Sequence, residues 1–213
     1  MKDLSQLQLT AADTRALSLL LDRAAITQVV QDWGLARDAG RWDLLESLYT
    51  LDATMHTTWF VGSASDFVER SKAAAAKGAR VQHFIGAACI DIRGVKAIAE
   101  TRMMLLVRGQ LEHVEVDVTC YGRFHDRLVK QPDGAWRILQ RVPIYEKDRL
   151  DPLDPTATLT LDPDVLARHP DGYRHLAYLQ SAGGASITED LPTPGSVALD
   201  RLYAGAQAWL VLP

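Results

Sequence analysis

Apolar positions along the chain switch period twice. Ile26, Val29, Val30 and Trp33 recur at helical spacing and define one buried stripe. Thr10-Ala-Ala-Asp13 has the form of a capping box, so a helix is expected to start there, with Asp22 as a second start signal. Gly40 is its expected stop. A short helix follows, with Trp42, Leu45, Leu48 and Tyr49 at matching offsets. Residues 54–61 are rich in β-branched and aromatic side chains and read as one strand. Ser63-Ala-Ser-Asp66 then caps a third helix that runs through the alanines to about Gly78. From Val81 the period becomes two. Long strands are expected over 81–93, 97–109 and 112–129, with breaks at Gly94 and Gly109. Gln131-Pro-Asp-Gly134 is a turn signal, and a last strand is expected over 135–144.

Segregated helices and hairpin-linked strands predict an α+β domain, with helices laid on a curved, mainly antiparallel sheet and a small-molecule pocket between the layers. The pattern changes after Tyr145. Asp151-Pro-Leu-Asp-Pro155 reads as a linker. Three short helices are expected beyond it: one from Asp162-Pro163, one from Asp171 to Gly183-Gly184, and one over about 196–210. The domain is therefore placed at residues 10–150. Residues 151–213 form a helical extension too small to stand alone, packing on the same domain or on a neighbouring subunit. Residues 1–9 read as a weakly specified arm.

Composition narrows the function. With 213 residues, 47% hydrophobic and 23% charged, the chain reads as an ordinary globular protein able to bury a sizeable core. A formal net charge of −4 argues against nucleic acid, whose binders show a basic patch. Cys89 and Cys120 are isolated in apolar runs and read as buried thiols in a reducing setting. No secretory signal and no membrane span is read, so the expected location is cytoplasmic. The half-apolar outer sheet face predicts a homo-oligomer, dimer or trimer.

Several residues could carry chemistry. His83 opens a strand, with Ile85, Ala87 and Cys89 on its face, and histidine is suited to moving a proton near neutral pH. Asp38 lies at a helix end, but on a helical wheel Arg37 is nearest the buried stripe and Asp38 falls to one side. Arg141 interrupts the last strand and could be a fixed cation or a paired surface group. His113, Glu115 and Asp117 alternate with valines on one strand face; crowding argues against a metal site, and a solvated face is favoured. Nucleophile-elbow, dinucleotide and P-loop signatures are absent, so neither a covalent nucleophile nor a cofactor is implied.

Ala24-Ala-Ile26, Asp38-Ala-Gly-Arg-Trp-Asp43, Leu48-Tyr49, Asp52-Ala53, Gln82-His-Phe-Ile-Gly86 and Asp133-Gly-Ala-Trp-Arg-Ile138 resemble SnoaL-like proteins of the NTF2-like superfamily over about residues 12–147. The resemblance implies a cone-shaped fold: a bent sheet wrapped on helices around a deep pocket. Lyases of that superfamily, the scytalone dehydratase, lindane dehydrochlorinase and bile-acid dehydratase types, use a His–Asp pair, which maps onto His83 and Asp38. The dehydrochlorinase interval from the last-strand tryptophan maps an arginine onto Arg141. Where those enzymes carry a lysine or tyrosine, this chain has Trp33, which favours a flat or apolar substrate. The implied function is a cofactor-independent, metal-free elimination of water, halide or a small fragment such as formaldehyde from a small apolar or aromatic molecule. Trp33, Tyr49, Trp59, Asp117 and Tyr121 are the expected substrate contacts. Isomerisation of a conjugated molecule is the neighbouring alternative. A non-catalytic binding or assembly module, such as a ring-hydroxylating dioxygenase small subunit, is the reading from another class.

Overall fold

A computed structural model describes residues 9–212. The N-terminal arm lies almost wholly outside them. The first helix, α1 (Ala11–Asp38), starts at the expected capping box: Thr10 Oγ1 accepts from Asp13 N, and Asp13 Oδ2 accepts from Thr10 N. Ile26, Val30, Trp33 and Ala36 form its buried stripe. Its first three turns stand clear of the sheet, leaving Leu17, Leu20 and Leu21 exposed. Asp22 starts nothing; it lies inside α1 and accepts from Lys130 Nζ and Trp136 Nε1. Gly40, at φ +67°, turns the chain into α2 (Trp42–Ser47).

Residues 54–61 are not one strand. They contribute to a tight hairpin, β1 (Tyr49–Thr57) and β2 (Phe60–Ser63), that turns at Thr58-Trp59. Thr57 Oγ1 stabilises the turn by donating to Phe60 O and accepting from Trp59 N. Ser63 caps α3 (Ala64–Ala76). Four long strands follow: β3 (Arg80–Arg93), β4 (Lys96–Leu111), β5 (Val114–Lys130) and β6 (Trp136–Pro152). The β3–β4 turn is at Gly94 as expected, but the β4–β5 turn is at Glu112-His113, with Glu112 at φ +53°. Gly109 instead lies inside β4, where a Cβ would sit 2.9 Å from Leu179 Cδ1. Its role is close packing rather than turning. Strand β6 also outruns its expected end at Ile144: Asp151 and Pro152 still pair with Asp117 and Val116, so part of the expected linker is sheet.

The six strands form one unclosed sheet in the order β2-β1-β6-β5-β4-β3, with only β1 and β6 parallel. Register shifts at Ile85/Ala88 in β3 and at Tyr121/Gly122 and Arg127/Leu128 in β5 bend it. The sheet curves over α1–α3, which is the expected cone. The two faces of β4 show the layering. Ala97 and Ala99 join the main core, whereas Ile98, between them, packs with Ala206 and Leu210 of α6 (Val197–Val211) on the opposite face. The remaining C-terminal helices are α4 (Pro163–Leu166), which has proline at its start as expected, and α5 (Arg174–Ala182). Asp171 does not cap α5; Tyr173 holds that position, and Asp171 pairs with Arg174. Helix α5 is pinned to β6 by Asp148, whose buried carboxylate accepts from Leu176 N at 2.8 Å and lies 2.7 Å from His175 Nδ1.

Candidate active site

The last turn of α1 runs beside the edge strand β3. Gly34 permits the approach, since a Cβ there would lie 2.5 Å from Ile85 Cδ1 and 3.9 Å from His83 Cβ. Four residues on, Asp38 reaches His83 twice. Its Oδ1 is 2.7 Å from His83 Nδ1, and its Oδ2 accepts from the His83 backbone N–H at 2.5 Å. The wheel reading is compatible with this contact. Arg37 does follow the buried stripe, at 8% exposure, while the side of the helix onto which Asp38 falls is the side facing β3.

Burial dominates the acidity of His83 and lowers its pKa, outweighing the Asp38 hydrogen bond and charge, which raise it; Arg37 and Arg141 lower it further. The ring is therefore neutral at neutral pH. With a carboxylate at Nδ1, the proton resides on that nitrogen and Nε2 presents a lone pair. Nε2 has no hydrogen-bond partner among the described residues. Trp33 and the imidazole meet in a T-shaped arrangement, with centroids 5.2 Å apart.

His83 lines a cavity of about 80 Å³ whose walls include Met55, Phe67, Met103, Leu105 and Phe124. This is below the roughly 300–1,000 Å³ usual for ligand pockets, so a ring-sized molecule enters only as lining side chains move. Trp33 and Trp59 both line it. Tyr49 does not; it lies behind Trp33, taking the indole Nε1–H on its hydroxyl at 2.5 Å, and burial pushes the phenol up to about 12. The indole N–H is thereby committed away from the cavity.

Arg141 is also behind the wall. Its guanidinium makes a bidentate pair with Asp126, both bonds 2.7 Å, and both side chains are completely buried. Its Cζ lies 4.2 Å from the ring centroids of both Trp33 and Phe124. Asp117 lies in a separate open groove, paired bidentately with Arg108 at 2.8 Å. Tyr121 is exposed, with Lys147 over its ring. His113 falls in the β4–β5 turn, so the three polar groups of that run do not share one strand. No group of three or more His, Cys, Asp or Glu among the described residues is placed to hold a metal.

Arg37 and Gln180 stand out among the lining residues that were not expected contacts. Arg37 is the only arginine or lysine in the lining among the described residues, and Gln180 comes from α5 in the C-terminal extension. The Gln180 amide makes no hydrogen bond to any described residue. Arg37 carried a signal in its place on the apolar stripe. Gln180 carried none, because nothing in the tail shows which way α5 will dock.

The SnoaL-like domain description matches residues 18–142. This chain belongs to the SnoaL-like family. Pea pathogenicity protein 2 of Fusarium vanettenii is 32% identical over 204 residues, 91% of this chain and 87% of that protein. Among solved structures, a putative scytalone dehydratase from Novosphingobium aromaticivorans superposes with a TM-score of 0.55 at 18% identity, covering 68% of this chain and 99% of that one. A hexachlorocyclohexane dehydrochlorinase superposes at 0.53 and 14% identity, covering 68% and 97%. These likenesses establish the NTF2-like cone. The SnoaL-like match ends at residue 142, so it does not include α5 and Gln180.

Proposed function

We propose that this SnoaL-like protein is a cofactor-independent lyase in which His83 and Asp38 carry out an elimination on a small apolar or aromatic substrate. The observation that supports it best is the asymmetry of His83: Nδ1 is fixed by Asp38, and Nε2 is left unpartnered on a ring that lines a mainly apolar cavity. In this reading Nε2 takes a proton from a substrate carbon. The C–H electron pair forms the new double bond, and the leaving group departs with its own pair. Asp38 stabilises the imidazolium as it forms, and the ring then passes its proton to the leaving group or to water. Trp33 and Trp59 offer flat apolar surface. Arg141, expected to meet the leaving group, has its place here as the fixed charge that holds Trp33 and Phe124 in position. The exposed leucines of α1 support association of copies.

One observation favours a neighbouring reading. Among the described residues the lining holds no lysine, the Trp33 N–H is spent on Tyr49, and the one phenol in the lining, Tyr145, is engaged with Thr58 and made a weaker acid by burial, which disfavours a dedicated acid for the leaving group. That suits an isomerisation, in which one base returns the proton it took, or a ligand-binding module. The test is a substrate screen on the purified protein followed by His83→Ala and Asp38→Asn variants of confirmed fold. The expected loss is about 10²–10⁴-fold in kcat. Near-normal turnover in both variants ends the dyad mechanism, and binding without turnover in the wild type favours the ligand-binding module.

A further inference from the structure

We infer that Arg37 docks a carboxylate, and that the cavity takes a small carboxylic acid. This deepens the proposed function by naming the substrate class, and it rests on the same cavity. Arg37 is more than nine-tenths buried, lines the cavity with His83, and makes no hydrogen bond or ion pair to any described residue. Its nearest carboxylate along the chain, Asp38, has both oxygens taken by His83. Its guanidinium instead faces a ring: Cζ lies 5.9 Å from the Trp42 centroid. Arg141 shows how this fold treats a buried guanidinium whose role is structural, supplying it with a buried aspartate and two bonds. Arg37 has no such partner. Asp38 attracts the guanidinium through space but makes no bond to it, so its N–H groups lack an acceptor in a largely buried site; that is costly, and an anion entering the cavity supplies the acceptor. The planar guanidinium fork matches a carboxylate through two parallel N–H···O bonds. Everything else in the lining is neutral at neutral pH, including His83, so the one positive group defines one place for the anion.

The test uses the full chain and calorimetric titration with benzoate and its neutral isostere benzamide. Benzoate is expected to bind wild type at least ~10-fold tighter than benzamide. In Arg37→Gln the preference should shrink to less than about 2-fold, while His83→Ala keeps it. No preference in wild type, or a preference that survives Arg37→Gln, overturns the assignment. If Arg37→Gln does not fold, the ¹⁵Nε resonance of Arg37 in the wild type decides: it must move with benzoate and not with benzamide. The outcomes separate the two readings. A preference for benzoate with full turnover in His83→Ala leaves Arg37 standing and removes the dyad. Loss of turnover in His83→Ala with no preference for benzoate does the reverse.

Discussion

Replacing Asp126 by Asn removes one charge from the Arg141–Asp126 pair and should be among the most damaging single changes in the protein. Both side chains have zero exposure, and both bonds are 2.7 Å. Arg141 Nη1 already lacks a partner, so no spare acceptor can take over. Breaking such a pair costs about 3–5 kcal/mol, because the remaining ion stays buried and uncompensated. With a urea m-value near 2 kcal/mol/M, the unfolding midpoint should fall by roughly 1.5–2.5 M. Arg141→Met should cost about as much, since it strands Asp126 instead. The double variant Asp126→Leu/Arg141→Met should regain most of the loss, because two apolar side chains need no counter-charge. Urea unfolding followed by tryptophan fluorescence measures all three, with Trp33 in van der Waals contact range of the guanidinium. A loss under about 1 kcal/mol in Asp126→Asn, or a double variant no better than the worse single, would refute the pairing argument.

Stability should also decline with acid in a defined window. His56, His83 and His125 all have lowered pKa values, burial being the largest cause in each. The unfolded chain therefore takes up protons from about pH 6.5 downward while the folded chain resists, so stability falls through that range and levels off below the folded values. Urea midpoints at about pH 7.5 and 5.5 measure it, and a smaller decline is expected in His83→Gln. If activity depends on neutral His83, the acid limb of kcat/KM should have its midpoint below about 6.5. Two glycines separate hard from soft neighbours. In Gly122→Ala the Cβ would lie 2.2 Å from the Ile144 carbonyl oxygen, which cannot retreat without breaking the β5–β6 ladder. A loss of about 2–3 kcal/mol is expected. In Gly109→Ala the obstacle is the tip of Leu179, and about 1 kcal/mol is expected; equal melting temperatures would contradict the distinction.

Local chemistry made much of the fold legible from the residues alone. The Thr10–Asp13 capping box, the Ser63 cap, the Gly94 turn and the proline opening α4 are contained within a few residues, and each is where the pattern puts it. Failures arose where a distant element decides. Gly109 is a glycine because Leu179, seventy residues later, presses on it, so it mimics a turn signal. The Thr58-Trp59 turn has no glycine or proline and is closed by Thr57 Oγ1, which left β1 and β2 looking continuous. At the site, Asp38 could be paired with His83 only through the family resemblance, since no periodicity tells which strand a helix flank will meet. Arg141 shows the opposite limit. Its position on the last strand was readable, but whether its charge faces a cavity or an aspartate depends on the β5–β6 register, which places Asp126 opposite it.

The clamp that holds α5 has a consequence for reading the site chemically. His175 and Asp148 repeat the local frame of His83 and Asp38: Nδ1 to carboxylate at 2.7 Å in both, with the second oxygen taking a backbone N–H. What differs is the outlook of the ring, since His83 lines the cavity and His175 does not. The molecule thus contains a matched reference histidine. Under a slow acylating reagent such as diethyl pyrocarbonate, the ratio of the two modification rates cancels most of the influence of the aspartate and reports access to Nε2. A compound that occupies the cavity should protect His83 and leave His175 unchanged. Unlabelled candidate ligands can then be ranked by peptide mass alone, before any reaction has been found.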